Sequence, residues 1–206
     1  MTKNMVIYDC EIIKAIPPFK QGEERLPDIE YCEGWHDFAN MGISVIGMYD
    51  YADDRYHVFC KDNFREFFNR VQDAAVVVDF NGFKFDKPLL EADIGEIEFN
   101  HHYDILREIW KALGNNPDEF NAGTHSGYGL DMCCAANFGS RKSGHGALAP
   151  IDWQRGNIGS VIDYCLNDVR LTKNLLDLII SRGHIINPKN TDRVIRMEDP
   201  LFFHRG

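Results

Sequence analysis

Val6-Ile7-Tyr8-Asp9-Cys10-Glu11-Ile12 has the apolar composition of a buried strand, yet it carries two carboxylates two positions apart. Successive side chains on a strand leave from opposite faces, so Asp9 and Glu11 share a side. Like charges on one face repel, and burying them without a partner is costly. A cation between them resolves both penalties. Asp-x-Glu arises often by chance, so the weight of this reading depends on what surrounds it.

The strand is followed by a long irregular stretch, residues 14–40, in which Pro17-Pro18, Gln21-Gly22, Pro27 and Gly34 interrupt any periodicity. Charges at Glu23, Glu24, Asp28 and Glu30 point to a solvated excursion, either a lid or partner surface or an insertion of no further role. Ile43 to Tyr49 is β-branched and reads as a strand, with Arg55 to Phe59 returning as its hairpin partner. Phe64, Phe67, Phe68 and Val71 share one face of a helix.

Ala75-Val76-Val77-Val78-Asp79-Phe80 is continuous enough for a strand buried on both faces, and Asn81-Gly82 is a turn after it. Pro88 suits the first position of the next helix, which places Asp86 at the strand-to-helix junction. A carboxylate there is also an ordinary helix cap. His102 to Ile105 is a short strand leading into a helix, and neighbouring His101 and His102 point different ways, which makes them poor joint metal ligands. Leu130 to Phe138 is a short helix.

The segment Gly139 to Pro150 is glycine-rich and basic but lacks the Gly-x4-Gly-Lys-Ser/Thr spacing of a nucleotide P-loop. Its amides with Arg141, Lys142 and His145 suit contact with a phosphodiester, and a plain linker reads equally well. From Asn157 to Gly183 a helix, with a small break near Asn167, aligns Val161, Cys165, Val169, Thr172, Leu176 and Ile179 toward a sheet. Tyr164 and Asp168 stack beside that stripe; Asp168 would also cap a helix restarting after Asn167. Ile185-Ile186 and Val194-Ile195 read as a terminal hairpin. The element order implies an α/β protein with a mixed sheet and helices on its faces.

At 206 residues the expectation is one domain, with its core over about residues 5–183 and a C-terminal extension over 184–206. No apolar run reaches the roughly 18 residues of a membrane span. The first residues lack a secretory signal, and the six cysteines are scattered without a Cys-x-x-Cys pair, so the expectation is a cytoplasmic protein with reduced thiols and no structural zinc. A formal net charge of -10 argues against coating long duplexes, though not against a site that reaches phosphate through bound cations.

Asp9-Cys10-Glu11, Asn81-x3-Phe85-Asp86 and Tyr164-x3-Asp168, in that order, resemble the three motifs of the DEDDy group of 3′-to-5′ exonucleases. These are ribonuclease H-like proteins, and they include the proofreading domains of DNA polymerases. The resemblance covers residues 5 to about 180; Gly42 to Gly47 and Asn137-Phe138-Gly139 also look like free-standing members. It implies a ribonuclease H-like fold and hydrolysis from the 3′ end of single-stranded DNA or RNA, releasing nucleoside monophosphates. Asp9, Glu11, Asp86 and Asp168 would hold two divalent cations, Mg²⁺ or Mn²⁺, and Tyr164 would orient the attacking water. Ile12, Asn81 and Phe85 would contact or position the substrate, and a separate replication or repair protein would be a partner. A binding or adaptor module without turnover, or a structure-specific endonuclease, would use the same scaffold.

Overall fold

The computed structural model describes residues 4–18, 24–139 and 146–200. In chain order these form β1 (Met5–Ile12), α1 (Phe38–Met41), β2 (Ile43–Asp50), β3 (Arg55–Phe59), α2 (Phe64–Asp73) and β4 (Val76–Asp79). There follow α3 (Asp86–Ile94), β5 (His102–Asp104), α4 (Ile105–Ala112), α5 (Ala122–His125), α6 (Leu130–Phe138), α7 (Ala149–Gln154), α8 (Ile158–Arg182), β6 (His184–Ile186) and β7 (Val194–Arg196).

Five strands make one sheet in the order β3-β2-β1-β4-β5. The first three are antiparallel; β4 and β5 run parallel to β1, as connections through helices require. β1 is therefore central and buried on both faces. Val6, Tyr8, Cys10 and Ile12 enter a core with Phe67 of α2 and Leu89 of α3. Met5 and Ile7 enter another, with Ile109 of α4, Cys133 of α6 and Leu175 of α8. Helices thus cover both faces, and truncating a side chain as enclosed as Phe67 would cost about 3–5 kcal/mol. All six cysteines are free thiols. Among the described residues no helix is long and apolar enough to cross a membrane.

Four expectations are corrected. α8 runs unbroken through Asn167 and Asp168, so Asp168 is mid-helix and caps nothing. α3 starts at Asp86, so Pro88 is its third residue, still within the first turn where an amide has no intrahelical partner. The excursion over 14–40 is not simply solvated. Ala15 bridges Tyr31, Ile29 and Cys32 are buried, and the Gln154 side chain bonds the carbonyls of Ile13 (2.8 Å) and Glu30 (3.0 Å). Ala149 and Pro150, read as the end of a loop, instead open α7, which packs against β1 and α8.

Candidate metal centre and cleft

Asp9 and Glu11 continue the face of β1 that begins with Met5 and Ile7, where α8 crosses the sheet. The crossing is close because Gly47, opposite Asp9 on β2, has no side chain: a Cβ there would lie 2.9 Å from Cys165 Sγ. The Gly47 amide donates to Cys165 Sγ (3.2 Å), and the thiol donates to the Asp9 carbonyl (3.4 Å). One side-chain ligand atom from each of Asp9, Glu11 and Cys165 falls within 4.8 Å of the others. Burial, then the charges of Asp9 and Glu11, push the Cys165 thiol well up, so it stays protonated and is a poor ligand.

Asp86 arrives from the neighbouring parallel unit. Its Oδ1 accepts the amide of Cys10 at 3.0 Å, between the two carboxylates of β1. That contact replaces the capping role: α3 has no side-chain cap. Burial, then the nearby Asp79, push Asp86 up to about 8.

The turn delivering Asn81, Phe85 and Asp86 is held by two buried aspartates. Asp79 Oδ1 accepts the Gly82 amide (3.2 Å). Asp104 takes the amides of Asn81 (2.9 Å) and Phe83 (3.2 Å), and also caps α4 through Leu106 and Arg107. Asn81 adopts φ 70, a conformation asparagine tolerates better than most residues. Gly82 is compulsory for space, since a Cβ would sit 2.0 Å from the Asp79 carboxylate. His102 Nε2 meets Asp79 Oδ2 at 2.6 Å. Burial, then Asp104, push Asp79 well up, while burial pushes His102 down to about 4. Both directions disfavour a full ion pair between the two side chains.

Tyr164 and Asp168, one turn apart on α8, complete the cluster. Asp9, Glu11, Asp86, Tyr164 and Asp168 all line one cavity of about 790 Å³, together with Ile12, Asn81 and Phe85. Asp86 and Asp168 lie outside the tight group that Asp9 and Glu11 form with Cys165. Arg141, Lys142 and His145 lie outside the described residues. The donor set is carboxylate oxygen, which suits hard divalent cations. A second acidic group, Asp50, Asp53 and His57, is already met by Arg70, whose Nη1 is 2.8 Å from Asp50 and 3.2 Å from Asp53.

Reading the sequence missed Asp79, Asp104 and Trp35. The signal for the first two was an aspartate closing each of two neighbouring strands, β4 and β5. Trp35, on the excursion, lines the cavity 52% exposed with its ring 6.0 Å from that of Phe85.

The family B DNA polymerase from the hyperthermophilic archaeon Pyrobaculum calidifontis is among the solved structures this chain resembles, at a TM-score of 0.56 and 17% identity. The match covers 85% of this chain and 24% of the polymerase chain. The fold is ribonuclease H-like. At that identity the likeness speaks for fold alone, and the chain spans about a quarter of the polymerase's length. No protein-family model and no curated protein matches the chain.

Proposed function

We propose that this chain is a metal-dependent 3′-to-5′ exonuclease of the DEDDy kind, acting on a single-stranded 3′ end of DNA or RNA. The observation that carries the reading is the convergence of Asp9, Glu11, Asp86, Tyr164 and Asp168, from three distant segments, on one cavity.

In this reading Asp9, Glu11, Asp86 and Asp168 would hold two divalent cations, Mg²⁺ or Mn²⁺. When bound, such a pair stabilises the attacking and leaving oxygens of an in-line displacement at phosphorus. The chain's own groups do the rest. Asp86 would have to release its proton to serve as a ligand. The Tyr164 hydroxyl orients the attacking water. Ile12 and Phe85 offer apolar surface to the terminal nucleoside, and Asn81, fixed by Asp104, is a polar contact beside it. The new bond joins water oxygen to phosphorus and the P–O3′ bond breaks. A nucleoside 5′-monophosphate leaves, and the shortened strand keeps a 3′-hydroxyl.

The test is incubation of labelled single strands with Mg²⁺ or Mn²⁺. Hydrolysis that chelator and Asp168→Ala both abolish, with the variant still folded, supports the reading. Internal fragments would point to an endonuclease, and binding without cleavage to an adaptor.

A further inference from the structure

A second cavity, about 780 Å³, meets the first at the acidic cluster. Asp9, Asn81, Tyr164 and Asp168 line both, as do Trp35 and Lys84. The first cavity runs under the excursion, whereas the second runs over α4 and α5 past Trp110, Phe120 and His125. They are two lobes of one cleft.

Phe120 is 61% exposed, the highest value for a large apolar side chain among the described residues. It does not dangle. Its ring lies 6.3 Å from Trp110 and 5.7 Å from His125, and those two rings meet edge to face at 4.7 Å. Trp110 Nε1 donates to the His125 carbonyl (3.2 Å), and His125 Nε2 is 2.9 Å from the Asn116 carbonyl, so the shelf beneath Phe120 is fixed. The Lys84 ammonium sits 5.3 Å from the centre of the Trp110 ring. An exposed aromatic on a rigid support beside a cation is the chemistry that stacks a nucleobase and meets its phosphate.

We propose that this second lobe is the track for the strand upstream of the scissile phosphate, with a base stacked on Phe120 and a phosphate at Lys84. The inference rests on the exonuclease reading of the adjoining cluster and extends it. Continuity with that cluster and the positive charge of Lys84 in an otherwise acidic protein favour a nucleic-acid strand as the occupant. The enzyme therefore engages several unpaired nucleotides at once.

The experiment measures binding of fluorescein-labelled oligo-dT of two to eight nucleotides by anisotropy, with Ca²⁺ replacing Mg²⁺ to slow turnover, and KM on the same lengths with Mg²⁺. The wild-type protein should gain affinity with length. Phe120→Ala should weaken binding of the longest strands about 5-fold or more and flatten the length dependence, and Phe120→Trp should restore it. Lys84→Ala should reduce the slope of log affinity against log salt by about 0.7. The exposed position of Phe120 leaves the fold intact, and melting curves check this.

If wild type binds and degrades oligonucleotides but Phe120→Ala matches it at every length, the proposal fails and the exonuclease reading stands. If Phe120→Ala alters only the sedimentation coefficient, the shelf is a contact between copies of the chain and the proposal fails likewise. If wild type neither binds nor cleaves any strand, the reading of the acidic cluster fails, and this one with it.

Discussion

The amide of Cys10 and the carboxylate of Asp86, 76 positions apart, are joined by a 3.0 Å hydrogen bond. It fastens the start of α3 to β1 between Asp9 and Glu11, so the carboxylates of two motifs are set by a backbone contact rather than by flexible side chains. Asp86→Asn keeps an acceptor for Cys10, whereas Asp86→Ala leaves a buried amide unsatisfied. Both variants should lose metal-dependent hydrolysis by on the order of 100-fold or more, since changes one shell further out already cost 10–100-fold. Only Asp86→Ala should show the roughly 1–3 kcal/mol penalty of the orphaned amide in urea denaturation. Equal stability of the two would show that the bond is dispensable to the fold.

The buried carboxyls set a pH dependence. Asp86 in the folded chain titrates near 8, above its ordinary value of 3.8, so the folded state holds a proton that the unfolded state has released. That contribution is complete below the ordinary carboxylate range and is lost as pH rises toward about 8. His102, pushed down to about 4 from 6.5, acts in the opposite sense only below about 6.5. Between pH 6.5 and 8 the metal-free protein should therefore lose stability as pH rises, and Asp86→Asn should flatten the slope. Urea denaturation in chelator across that window measures it; identical slopes would refute the assignment.

Gly82 touches the Asp79 carboxylate so closely that a Cβ would lie 2.0 Å from its oxygen. Gly82→Ala should destabilise by about 1–3 kcal/mol and displace Asn81 and Asp86 together, removing activity as well. By contrast, Asn81→Gly relieves the positive φ and should change stability by less than about 1 kcal/mol. Any fall in its kcat/KM then reports the lost amide side chain. Paired denaturation and rate measurements separate the two effects.

Tyr164→Phe removes only a hydroxyl from the cavity wall. Turnover should drop by roughly 100-fold while Mn²⁺ affinity, followed by calorimetry, stays at the wild-type value. Unchanged turnover would exclude Tyr164 as the group that orients water.

Much of this arrangement could be read from local pattern. The alternation through Val6 to Ile12 placed Asp9 and Glu11 on one face, and the apolar stripe of α8 placed Tyr164 and Asp168 beside it. What local pattern missed was tertiary. Asn167-Asp168 looked like a helix break because Asn and Asp favour caps and turns, yet here Asp168 lines the cavity and the helix continues. Asp79 and Asp104 looked like strand ends, since their work is to accept amides of a turn 3–23 positions away. Residues 14–40 looked solvated because the Gln154 side chain that docks their backbone lies 124 positions from Glu30.

The most direct test of the central claim uses a 5′-labelled linear single strand and a circular strand of the same sequence, each with Mg²⁺ or Mn²⁺. The account predicts a ladder shortening one nucleotide at a time from the 3′ end of the linear strand, release of nucleoside 5′-monophosphates, and an intact circle. Cleavage of the circle, or a linear strand left whole with cation present, would contradict it.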